Sequence, residues 1–139
     1  MTPPVLVLGA TGQVGLFAIT RLLSLDRTVV AVTRRVSGMH QTNQRALWHA
    51  DLPSAMDWAQ DGDQPCALLS CGPVSLAVEA LSIDRDRTHP GFSRVVITGT
   101  TSIESKRTSA DRRENTLIGQ LESGLERIEE FCRAGSIPL

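Results

Sequence analysis

Three glycines, Gly9, Gly12 and Gly15, follow directly on the apolar run Val5-Leu-Val-Leu8 with the spacing G-x-x-G-x-x-G. Residues of this kind at this spacing suit one chemistry, the holding of a diphosphate by backbone rather than by side chains. Gly9 permits a sharp turn out of the run. Gly12 leaves no β carbon in the path of a phosphate, and Gly15 lets a following helix close on the strand. The N-terminus of that helix offers unpaired N–H groups and a partial positive charge to the anion. Thr11, Gln13 and Val14 complete the turn. Three glycines also suit an ordinary tight turn; the position of this set at the head of a strand–helix series favours the phosphate.

The second apolar run ends Ala31-Val32-Thr33-Arg34-Arg35. Folds that bind NAD place an acid near here, roughly 20 residues after the glycine turn, for the ribose 2′-hydroxyl. Two arginines stand there instead. A guanidinium forks onto a 2′-phosphate and stacks on adenine, which favours NADP(H) over NAD(H). The competing reading is a solvated basic pair on a surface loop. A third run leads into Asp51-Leu52, where an acid and backbone groups at a strand's carboxyl end face an adenine. Asp51 serves equally well as the cap of the next helix.

The remaining reactive side chains exclude more than they suggest. Cys66, Cys71 and Cys132 lack metal-ligand spacing, and His40, His49 and His89 are too far apart to form a ligand pattern. No metal site is expected. An odd cysteine count without a basic, apolar leader suggests a reducing, cytoplasmic setting. Cys71 is read as a buried structural thiol. The net charge of −1 gives no field that would draw nucleic acid or an anionic membrane. No apolar stretch approaches the roughly 20 residues of a membrane span. Arg85, Arg87, Arg107, Arg112 and Arg113 are read as a solvated loop face.

Short apolar runs alternating with longer amphipathic segments must position these groups. The strands expected are Val5 to Leu8, Thr28 to Thr33, Ala46 to His49, Ala67 to Cys71 and Arg94 to Thr98. The third is assigned from context, because Trp48 and His49 interrupt it. Helices are expected over Val14 to Leu25, Ser54 to Gln60, Val74 to Ile83 and about Arg113 to Arg133. In the first of them Val14, Phe17, Ala18, Leu22 and Leu25 form a core-facing stripe. In the last the stripe is Leu117, Leu121, Leu125, Ile128 and Cys132, with Ser109 or Asp111 at the start and Gly135 at the end. The turn Asp61-Gly62-Asp63 ends the second helix, and Ser37 to Gln44 is read as loop. Repeated β-α units imply a mostly parallel, doubly wound α/β sheet of about five strands, helices on both faces, in one Rossmann-type domain over residues 1–139.

With those residues in view the chain resembles the short-chain dehydrogenase/reductase superfamily, in its extended or atypical branch of NAD-dependent epimerase/dehydratase-like proteins. The resemblance is carried by Gly9-Ala-Thr-Gly-Gln-Val-Gly15, Arg34, Asp51-Leu52, Ser70-Cys-Gly72 and Val95-Val-Ile-Thr98. It implies hydride transfer between a nicotinamide and a small carbonyl, hydroxyl or nucleotide-sugar substrate. It places Ser70, Cys71, Gly72 and Thr98 beside the cofactor ribose and nicotinamide, and gives Thr100, Thr101 or Ser102 a substrate-binding role. The family's catalytic pair, Tyr-x-x-x-Lys, is missing, since the chain contains no tyrosine. Ser102-x-x-x-Lys106 is the candidate substitute, against a solvated loop. A catalytically inactive module that binds the cofactor and works through a protein partner is the alternative. The family also has a sixth strand and a substrate lobe after the last helix, and Ile137-Pro138-Leu139 resembles the start of that strand. The expectation is a domain incomplete at its C-terminus, with a sheet edge exposed to another copy or a partner protein.

Overall fold

Val5-Leu-Val-Leu8 is buried at every position, which a strand achieves only with neighbours on both sides and cover on both faces. In the computed structural model, which describes residues 2–34, 44–61, 63–87, 91–99 and 108–139, this run is β1, the centre of a five-stranded sheet. The other strands are β2 (Val29–Val32), β3 (Ala46–His49), β4 (Cys66–Ser70) and β5 (Phe92–Ile97). All pair in parallel in the order β3-β2-β1-β4-β5. Val5 stands beside Val29 on one side and Ala67 on the other, and Leu8 beside Ser70. The described helices are α1 (Gln13–Ser24), α2 (Leu52–Ala59), α3 (Val74–Arg85) and α4 (Arg112–Ala134).

The period-two alternation of the strands divides the interior into two layers. Leu6, Leu8, Val30, Leu68 and Val95 face α2, α3 and α4, meeting Met56, Leu81 and Ile128. Val5, Val7, Val29 and Ala31 face the other way and meet Ile19 of α1. Trp48, which made β3 doubtful as a strand, packs against this second layer. The amino end of the sheet carries a polar tie. The buried Gln60 donates to Asp84 and accepts from Arg87, whose guanidinium also reaches Asp57 at 2.7 Å. It joins the end of α2 to the end of α3.

Two expectations are corrected. Val14, Phe17 and Leu25 are not core-facing: they are 54%, 77% and 55% exposed. The buried face of α1 is Gly15 and Ile19, with Leu22 and Leu23 packed beside them. The cause is steric: Gly15 must face the β1 turn, and this sets the rotation of the whole helix. In α4, likewise, Leu117 is 52% exposed and Ile118 lies inside instead. Gly135 does cap α4, but with an ordinary φ of −88°. The left-handed residue is Ser136, at φ 52°. Its N–H bonds to the Arg133 carbonyl and that of Ile137 to the Cys132 carbonyl, which closes a Schellman motif. The same motif ends α1, with Asp26 left-handed at φ 58°.

Beyond Ser136 the chain turns back along the sheet. The Val95 N–H donates to the Pro138 carbonyl at 2.9 Å, so the residues after α4 meet β5 through a backbone hydrogen bond without forming a sixth strand of the described sheet.

Candidate dinucleotide site

Parallel pairing puts the carboxyl ends of all five strands on one edge of the sheet. Along that edge stand Asp51 and Leu52 after β3, Arg34 after β2 and the glycine turn after β1. Ser70, Cys71 and Gly72 follow at β4, and Thr98 after β5. The chain runs outward from β1 toward β3 on one side and from β4 toward β5 on the other, so the direction reverses between β1 and β4. Such a switch point opens a crevice at the carboxyl edge, where ligands of open α/β sheets bind. The glycine turn lies at that crevice.

Each glycine in the turn has its own reason to be there. Gly9 has φ +68°, a conformation that costs a residue with a side chain roughly 1–2 kcal/mol. A β carbon on Gly15 would stand 2.2 Å from the Gly9 carbonyl oxygen, so α1 rests on the turn itself. Gly12 is different. Its φ of −71° and ψ of 165° suit any residue, and a β carbon there would meet nothing nearer than 3.4 Å. Neither backbone nor packing requires glycine at position 12. What glycine does provide there is open space directly over the start of α1. Gly12 is the N-cap of α1 and supplies no side-chain cap, and the first turn holds no acid. Thr11, Gln13 and Val14 are exposed around it. An uncapped helix start beneath a cleared patch of backbone fits a diphosphate.

The flanking residues are arranged as follows. Arg34 is exposed just beyond β2. Asp51 caps α2, its carboxylate accepting from the Ser54 N–H at 2.8 Å; this bond holds its pKa below the usual carboxylate value. Leu52 is buried in the larger core layer, so only its backbone is left for a ligand. Thr98 donates to the Ser70 carbonyl through both its N–H and its hydroxyl, at 2.9 and 3.3 Å, binding β5 to β4 at the edge. Cys71 is half-buried rather than buried, and desolvation raises its thiol pKa. Arg35, Thr100, Thr101, Ser102, Lys106, His40, His89 and Gly62 lie outside the described residues.

One feature of the edge has no signal in the sequence. Ser70 is fully buried, and its hydroxyl has no hydrogen-bond partner among the described residues. A buried hydroxyl left unpaired is costly. Its position at the end of β4, next to the switch point, makes it a polar group held in reserve at the candidate site. Among the described residues no cluster of His, Cys, Asp or Glu could hold a metal ion, and no helix is long and apolar enough to cross a membrane.

Comparison with known proteins agrees with this geometry. The model of the NAD dependent epimerase/dehydratase family matches residues 5–75, just over half of the chain, from β1 to the start of α3. The chain belongs to that family. No curated protein sequence matches it. Among solved structures it is similar to Gre2 from Candida albicans, with 15% identity and a TM-score of 0.63 over 96% of this chain and 53% of that one. It is similar to vestitone reductase from alfalfa, with 15% identity and a TM-score of 0.64 over 98% and 54%. It is similar also to ChuY, an anaerobillin reductase from Escherichia coli O157:H7, with 20% identity and a TM-score of 0.62 over 92% and 66%. At these identities the likeness establishes the fold. The chain spans about half the length of the first two.

Proposed function

We propose that this chain binds NADP(H) along the carboxyl edge of its sheet and serves hydride transfer between the nicotinamide and a carbonyl or hydroxyl of a small substrate. The observation that carries the reading is Gly12, a glycine that neither conformation nor packing explains and that clears the start of an uncapped helix. Family membership over residues 5–75 supports it. Two of the similar structures are reductases by name.

The cofactor, when bound, supplies the hydride chemistry. The chain's own part is to hold it. In this reading the N–H groups of Gln13 and Val14, with Thr11 beside them, receive the diphosphate. Arg34, with Arg35, forks onto the 2′-phosphate, and the Asp51-Leu52 backbone borders the adenine. Ser70, Cys71 and Thr98 border the nicotinamide half. Ser102 and Lys106 are the candidates for moving the proton that accompanies the hydride.

A second reading follows from the absence of tyrosine throughout the chain. Without the family's usual acid/base the domain binds the dinucleotide as a ligand and acts through a partner protein or another copy. Turnover separates the two: reduction of any carbonyl compound by the chain alone, at the expense of NADPH, eliminates the second.

The test of cofactor binding is calorimetric titration with NADPH and NADH separately. The expected result is NADPH binding at least about tenfold tighter, or 1.4 kcal/mol, with the difference lost in Arg34→Ala. Equal binding of both removes Arg34 as the selector. Binding of neither to the folded chain rejects the proposal.

A further inference from the structure

Gly72 lies far along the chain from the glycine turn, and its need to be glycine is not conformational. Gly9 is the glycine with positive φ among those described, and Gly72 is not. Nor is it crowded on every side. A β carbon on Gly72 would meet the Gly9 α carbon at 3.1 Å and the Gly9 nitrogen at 3.3 Å, and otherwise only a Leu76 methyl at 3.8 Å. Seen from the other strand the fit is tighter still. A β carbon on Gly9 would stand 2.5 Å from the Gly72 nitrogen and 2.6 Å from its α carbon. The two backbones are in direct contact.

Gly9 has nowhere to retreat. Its carbonyl oxygen is pressed against Gly15 of α1. The same oxygen accepts the Gly12 N–H at 3.2 Å, so a displacement of Gly9 is passed on to the N-cap of α1. The other strand is equally fixed, because the Cys71 N–H donates to the Leu8 carbonyl at 2.9 Å just before Gly72. Gly72, Gly9 and Gly15 thus form a stack of three backbones with the anion-receiving turn clamped in the middle.

We infer that Gly72 is a positioning residue for the diphosphate: it sets the conformation of the Gly9–Gly12 turn by backbone contact with Gly9, without touching the diphosphate itself. This rests on the reading of the chain as a dinucleotide binder. It differs from a direct contact of Gly72 with the nicotinamide half, and the two make opposite predictions for a ligand that lacks that half.

The experiment titrates wild type and Gly72→Ala with NADPH and with 2′-phospho-ADP-ribose, which is NADPH without its nicotinamide, well below the melting temperature of either protein. The expected result is a loss of about tenfold or more for both ligands alike, with the variant fully folded. Loss for NADPH alone, or for neither ligand, overturns the inference. So does a wild type that binds NADPH but not the truncated ligand. A wild type that binds neither ligand rejects the dinucleotide reading itself, a different failure visible before any variant is made. Should Gly72→Ala not fold, hydrogen exchange of the wild type decides. Protection by 2′-phospho-ADP-ribose that spreads from residues 9–15 to residues 71–74 supports the clamp, and protection confined to 9–15 overturns it.

Discussion

The carbonyl oxygen of Gly9 occupies the place a side chain on Gly15 would need, 2.2 Å from where its β carbon would lie. Gly12, in the same turn, has a β carbon's worth of free space. Alanine at these two positions therefore has opposite effects. Gly15→Ala overpacks the joint between strand and helix and destabilises the fold by about 3 kcal/mol. Gly12→Ala changes stability by less than about 1 kcal/mol but weakens NADPH binding. Urea unfolding and calorimetry on both variants check this pairing. A Gly12→Ala protein that keeps full NADPH affinity would remove the diphosphate from the turn.

Ser70 makes the second prediction. Its buried hydroxyl is unpaired among the described residues, so Ser70→Ala is expected to raise the stability of the free protein by about 1 kcal/mol. Thermal unfolding without nucleotide reads this directly. A loss of stability instead would mean the hydroxyl has a partner in solution.

Alkaline pH should find a weak point at Cys66. Burial, with Asp84 adding to it, pushes this thiol from 9.0 up to about 12. The folded state holds the proton more tightly than the unfolded state does. The stabilisation is complete below about pH 9 and is lost as pH rises toward 12. In that window one such group lowers unfolding free energy by up to about 1.4 kcal/mol per pH unit. The difference between wild type and Cys66→Ala in urea midpoint should shrink steadily above pH 9. A constant difference up to pH 11 would contradict it.

Ser136 carries a left-handed backbone at the end of α4, a position that favours glycine. Ser136→Gly relieves it and should stabilise by about 1 kcal/mol, a rise of roughly 4 °C in melting temperature. An unchanged or lower melting temperature would place the strain elsewhere.

Much of this fold is legible in the sequence because its strands are buried on both faces and are bounded by turn residues. β1 and β3 begin and end where the apolar runs do. The carboxyl-edge placement of Gly9, Arg34, Asp51 and Ser70 follows once the strands are known to be parallel. The rotation of α1 was not legible. Its apolar residues populate more than one stripe, and hydrophobicity favours the heavier one with Phe17. The residue that decides is Gly15, which adds nothing to an apolar pattern and acts through what it lacks. The Gly9–Gly72 contact and the unpaired Ser70 hydroxyl were hidden for another reason: each depends on β1 and β4 lying side by side, and no local pattern records that pairing.

The strand order has a consequence for how the chain is made. Of these five strands β1 emerges before the others, and β2 can join it almost at once, but its other edge waits for β4. At about 5–20 residues per second, the stretch from Val29 to Ala67 keeps that edge open for several seconds on a nascent chain. Until β4 arrives, Gly9 has no Gly72 to rest on. The candidate site is thus closed only when β4 is in place, although its glycine turn is made with β1.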